Sequence, residues 1–224
     1  MHTRRFKLMP LVAGLFVAFL ALAASGGAAY NAWAAGREAE DQKITVEQLA
    51  FRNAMRQLWE DHITWTRMFI VSAVADLPDA GAAAERLLQN QTDIGDAVKP
   101  FYGDAAGDQL TALLQDHILI ASDLVSAAKA GDTAKFDDAL ARWYVNADEI
   151  AAFLHSANPE AWPLDHMKAM MREHLDLTLQ EAGARLNGDW AADIAAYDQI
   201  HQQILEMADM LSSGIISQFP KEFK

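Results

Sequence analysis

Cysteine is absent from all 224 residues. That removes disulfides, thiolate metal sites, iron–sulfur clusters, a cysteine nucleophile and lipoprotein attachment. Positive charge is scarce as well: 18 Lys and Arg stand against 31 Asp and Glu, a formal charge of −13. Such a surface repels phosphate backbones and anionic headgroups, so nucleic acid is not an expected partner, whereas cations are favoured. Residues 44–218 hold no alternating β-branched run of the kind that makes strands. Gly-x-Gly-x-x-Gly, the P-loop, Gly-x-Ser-x-Gly and His-Glu-x-x-His are all missing. No motif specifies a reaction, and a binding or structural protein is expected rather than an enzyme.

What is there begins with the amino terminus. Arg4, Arg5 and Lys7 precede an apolar run from Leu8 to Ala24, with small residues continuing to Ala29. The run is close to the ~20 helical residues that a bilayer core requires. Basic residues before it and Arg37, Glu38, Glu40 and Asp41 after it keep the start of the chain cytoplasmic and send the rest outward. Ala21-Leu22-Ala23 and Ala32-Trp33-Ala34 offer A-x-A cleavage sites, but the length of the run favours an uncleaved single-span anchor. Thr3 to Leu8 carries a faint twin-arginine pattern. The expected organisation is an anchor or signal peptide over 1–34, a linker over 35–43 and one domain over 44–224. The expected location is the bacterial cytoplasmic membrane with the domain outside the cytoplasm, or full export if the signal is cleaved. Beyond Ala34 the chain keeps 15 basic and 31 acidic side chains, a formal charge of −16.

The fold class expected for 44–224 is all-α, an up-down antiparallel bundle of about six helices. Turn signals at Asp76-Leu77-Pro78-Asp79, Tyr102-Gly103-Asp104, Ala130-Gly131-Asp132, Asn158-Pro159 and Asn187-Gly188-Asp189 separate helical stretches over 44–76, 81–101, 105–130, 133–156, 162–187 and 190–218. Asp132 and Asp189 suit N-caps, and Gly131 and Gly188 suit the left-handed residue that closes the preceding helix. Pro163 fits a first helical turn and Pro220 a stop. Short connections pair the helices into three successive hairpins.

The hairpins repeat. Leu58-Trp-Glu-Asp-His62, Leu113-Leu-Gln-Asp-His117 and Met170-Met-Arg-Glu-His174 share two large apolar residues, two polar residues with an acid second, and then histidine. The interval from histidine to turn is the same in all three: His62 to Asp76, His117 to Gly131 and His174 to Gly188. That interval taken again beyond each turn, to within one position, reaches Asn90, Asn146 and His201. Both helices of a hairpin rise about 1.5 Å per residue, so His62 is expected to face Asn90, His117 to face Asn146, and His174 to face His201. All six fall on stripes at helical spacing: Leu58/His62/Trp65/Phe69, Leu113/His117/Ile120, Met170/His174/Leu177, Leu87/Asn90/Ile94, Trp143/Asn146/Ile150 and Tyr197/His201/Leu205. The expectation is one polar stratum inside an apolar core.

A buried imidazole needs a hydrogen-bond partner or a metal. Two readings follow. In one, His62, His117, His174, His201, Asn90 and Asn146 bind a transition metal: copper, zinc or iron. In the other they form a closed network that fixes helix register. Haem between facing histidines such as His174 and His201 is a third possibility, as is an oxidase-like metalloenzyme. Asp93 and Glu149, three residues past the asparagines, are candidates to point inward, and Asp198-Gln-Ile-His201 has the spacing of a di-iron half-motif. The methionines around His174 are read as core filling, and His155 and His166 as exposed.

The segments Leu58–Arg67 (LWEDHITWTR), Gln89–Gly107 and Arg142–Leu154 resemble a family of bacterial helical proteins, exported or membrane-anchored, and the resemblance covers most of residues 44–224. It implies the helical fold and supplies no functional residue. Some members carry names such as glycosyltransferase or acetylglutamate kinase, activities that imply nucleotide-binding α/β architectures foreign to this sequence.

Overall fold

A computed structural model describes residues 44–224. The anchor, the cleavage sites and the linker lie outside the described residues. Six helices follow one another: α1 (Val46–Val74), α2 (Ala80–Tyr102), α3 (Asp104–Ala130), α4 (Thr133–Ala157), α5 (Leu164–Asn187) and α6 (Trp190–Gln218). Among the described residues there is no strand.

Local chemistry sets the boundaries. Thr45 and Gln48 form a reciprocal capping box at the start of α1, a boundary that the turn signals do not mark. Asp132 accepts from Lys135 N and Asp189 from Ala192 N, as expected of N-caps. Gly131 and Gly188 sit at φ 67° and 72°, where a Cβ would be strained. Pro163 is the cap before α5 and not its first helical residue.

Each helix packs on the next, and α6 returns to α1, so the three hairpins close into a ring. Helix α1 also meets α3 and α5 across the interior. The turn ends of α1 and α3 lie together, because Lys129 Nζ reaches Asp76 at 2.6 Å and the Ala73 carbonyl at 2.7 Å. By length and composition α3 is the one described helix able to cross a bilayer. Its buried Leu110, Leu114, His117 and Leu124 give that hydropathy a second use in the bundle core.

Two details hold the ring tight. Helices α2 and α3 cross at Gly95 and Gly107, where a Cβ on either glycine would come within 2.6 Å of the other's carbonyl oxygen. Gly95→Ala is therefore expected to cost about 1–3 kcal/mol despite alanine's better helix propensity. Gly81, in the same helix with nothing within 4 Å of its would-be Cβ, is the control: Gly81→Ala should be neutral or stabilising. Thermal melts of the two variants check this, and equal melting temperatures would mean that α2 and α3 do not touch at Gly95.

The second detail is ionic. Arg67 of α1 bridges Glu181 of α5 at 2.5 Å and Asp193 of α6 at 2.8 Å, and Arg185 reaches Asp193 at 3.3 Å. Both carboxylates are 1% exposed. The Arg67 guanidinium also lies over the Tyr197 ring. Burial pushes Glu181 up to about 7 in spite of Arg67.

A candidate trihistidine centre

The core faces place one histidine from each hairpin at one level. His62, His117 and His174 each lie between three and four turns before the end of their helix, at Val74, Ala130 and Asn187. All three are buried. The His62 and His174 rings are 5.6 Å apart by centroid, and those of His117 and His174 6.4 Å.

Each imidazole makes the same bond to its own hairpin, at the same sequence interval of 29. His62 Nδ1 meets Gln91 Oε1 at 3.2 Å, His117 Nδ1 meets Asn146 Oδ1 at 2.8 Å, and His174 Nδ1 meets Gln203 Oε1 at 3.2 Å. The amide nitrogens bond to helix carbonyls. Asn146 donates to Leu113 O at 3.0 Å and Gln203 to Met170 O at 3.1 Å. In the first hairpin two side chains share these roles. Asn90 donates to Leu58 O at 2.9 Å, while Gln91 donates to Leu87 O and Asn90 Oδ1 and accepts from His62. Each accepting carbonyl of α1, α3 and α5 is four residues before the histidine. The histidines' own carbonyls take a third set of bonds, from Thr66, Trp143 and Thr178.

This chain of bonds fixes protonation. A helix carbonyl can only accept, so the amide nitrogen turns to it and the amide oxygen turns to the ring. The ring must then donate from Nδ1, which leaves the lone pair on Nε2. All the hydrogen bonds of these three rings are made at Nδ1, and among the described residues no donor reaches Nε2. Burial holds His117 down to about 3 and His174 down to about 4. His62 is pushed well below the ordinary histidine value by burial and then by its two neighbours. All three are neutral at pH 7. Trp59 packs against His62 at 5.8 Å and Trp143 against His117 at 5.1 Å. The Trp59 indole N–H is buried with no hydrogen-bond partner.

The expected six residues are thus sorted. His117 and Asn146 pair as expected. His62 and Asn90 share the layer, but Gln91 bonds to the ring. His201 is not in the layer: it stacks on Tyr197 at the surface and meets Glu60 at 2.7 Å. Gln203 stands in its place. Two residues along a helix are a turn of about 200°, enough to exchange inside for outside. The stripe Tyr197/His201/Leu205 is accordingly replaced by Ile200, Gln203, Ile204 and Met207. Haem between His174 and His201 loses its facing pair. Asp93 and Glu149 do not point inward: Asp93 meets Gln89 and Arg86 at the surface, and Glu149 is exposed. His155 is half-buried on the Trp162 carbonyl, and His166 is half-buried too.

Among the described residues no group of three or more His, Cys, Asp or Glu side chains is placed so that it could hold a metal ion. The ring contacts run from His174 to His62 at 5.6 Å and to His117 at 6.4 Å. No family model, curated protein or solved structure matches the chain. The class defined by fold and site is a closed ring of three helical hairpins around three neutral histidines.

Proposed function

We propose that this domain, held outside the cytoplasm by residues 1–34, binds one transition-metal ion through Nε2 of His62, His117 and His174. The observation that carries the reading is the fixed tautomer. Each ring donates from Nδ1 to a side-chain amide of its own hairpin, which leaves the Nε2 lone pair in the form that ligates a metal. Histidine ligands donate their other N–H to a carbonyl or carboxylate in the same way. Asn146, Gln91 and Gln203 orient the ligands, and Asn90 holds Gln91; none of the four is itself a ligand.

The competing reading, a layer that only fixes register, draws on how fully each histidine–amide–carbonyl set closes within its own hairpin. Metal-stripped protein separates the two. Copper, zinc or iron is expected to raise the melting temperature of the wild type, because a ligand that binds only the folded state stabilises it. His174→Gln, which keeps a polar side chain in the layer, should lose that rise. No shift with any of these metals would leave the register role alone. For location, fractionation should place the chain in the membrane with residues beyond 35 open to external protease, and a full-length soluble cytoplasmic form would refute the anchor.

A further inference from the structure

We propose that the end of the bundle where α1 begins and the chain finishes rests on the membrane surface, with its exposed aliphatic side chains among zwitterionic lipid headgroups. The inference rests on the anchoring of residues 1–34 and is independent of the histidine layer. Exposure and position are the first ground. Val46 is 79% exposed, Leu49 48% and Ile44 46%. These three large apolar residues fall at the first described positions of the chain. Only residues 35–43 separate them from the anchor, and that stretch reaches at most about 30 Å when fully extended. In an α-helix each Cα–Cβ bond leans towards the N-terminus. Val46 and Leu49, three apart on one face, therefore lean towards the end of the bundle that the anchor holds.

What stands behind them is the second ground. Phe223 of the tail packs on Phe51 of α1 and stacks on Phe101 of α2 at 5.4 Å, and Tyr102 meets both Phe219 and Trp162. The bond from Thr45 to the Phe223 carbonyl ties the tail to the start of α1, so the exposed Lys221 and Lys224 are held at the same level. Exposed aliphatics, tyrosine and tryptophan behind them and lysines on long apolar stems make a surface that beds into a headgroup layer. Charge does not supply the attraction: Glu47, Asp104, Glu160 and Glu222 are exposed at this end, so anionic lipid is disfavoured and the contact is apolar. The far end differs. Its turns expose Asp76, Asp79 and Asp189 beside Leu77, and its Trp190 ring lies under the Arg185 guanidinium.

The test uses the full-length chain in nanodiscs of phosphatidylcholine. The chain has no cysteine, so Val46→Cys, Glu222→Cys and Asp79→Cys each take a single nitroxide label. Electron paramagnetic resonance reads how often each label collides with an aqueous nickel chelate and with lipid-soluble oxygen. The Val46 and Glu222 labels are expected to meet the chelate several-fold less often, and oxygen more often, than the Asp79 label at the far end. Leu49→Asp, with helical circular dichroism unchanged, should return the Glu222 label to the Asp79 value, whereas raised salt should not. Protection of Val46 alone would report only the tether and overturn the docked end. Protection that disappears in discs holding one chain each would assign the surface to a second copy and overturn the lipid contact. Val46 and Glu222 labels as open as the Asp79 label, in a chain that stays in the disc, would overturn the contact and leave the anchor standing. A chain that does not enter the discs would overturn the anchor and the contact with it.

Discussion

Metal-free protein is expected to lose several kcal/mol of stability between pH 7 and pH 4. Burial holds His117 at about 3, His174 at about 4 and His62 well below its ordinary value. The unfolded chain takes up these protons near pH 6.5, whereas in the folded chain His117 waits until about 3, His174 until about 4, and His62 until well below its ordinary value. Between those limits the unfolded state binds more protons, so stability falls as pH falls. At pH 4 His117 and His174 each remove on the order of 3 kcal/mol. Glu181 works in the opposite direction. Its carboxyl, raised to about 7 by burial, gains its proton earlier in the folded state and adds stability as pH drops from 7 towards the ordinary carboxyl value. Three imidazoles outweigh one carboxyl, and the net loss rivals the ~5–15 kcal/mol that holds a whole domain together. Urea midpoints at pH 7.5, 5.5 and 4 check it. His117→Gln should flatten the slope by one histidine's share. A midpoint independent of pH over this range would mean that the imidazoles are hydrated.

Arg67→Ala is expected to cost about 3–5 kcal/mol at pH 8, the range for breaking a buried ion pair by removing one member. Glu181 and Asp193 would keep only Arg185, while remaining out of water. The pH dependence identifies the cause. Arg67 pulls the Glu181 carboxyl down, so without it Glu181 takes a proton more readily and loses its charge sooner on acidification. The deficit of the variant should therefore be smaller at pH 5.5 than at pH 8. Arg67→Lys keeps the charge but not the fork that spans two carboxylates, and should recover part of the loss. A deficit below about 1 kcal/mol, the same at both pH values, would place this cluster among ordinary surface pairs.

The six helices were legible because their ends are punctuated by residues with one local use. Asp132, Asp189, Gly131 and Gly188 cap whatever the tertiary structure does. The level of the histidines was legible too, since distance from a turn converts directly into height. Rotation about the helix axis was not. Tyr197/His201/Leu205 and Ile200/Ile204/Met207 are both apolar at helical spacing, and only one faces inward. Likewise Trp59 and Ile63 are buried, while Trp65, expected on the inner stripe, is half-buried beneath Arg86. The interval of 29 from His117 to Asn146 held the answer. The same interval from His62 and His174 gives Gln91 and Gln203. The Arg67 cluster had no such signal: its members come from α1, α5 and α6, and their meeting depends on how the ring closes.

Closure of that ring also separates this domain from open arrays of helical hairpins. An open array can gain or lose a repeat and protects its outermost units with special end pieces. Here α6 lies against α1, and Thr45 Oγ1 donates to the Phe223 carbonyl at 3.0 Å, so the two ends of the folded unit are already neighbours. Three hairpins complete the circle, and a fourth would have to wedge it open. A short peptide joining residue 224 to residue 44, with a new opening at Gly103 or at 158–163, would yield circular permutants in which every helix keeps both flanking partners. The order in which the hairpins are synthesised is then separable from the structure they form.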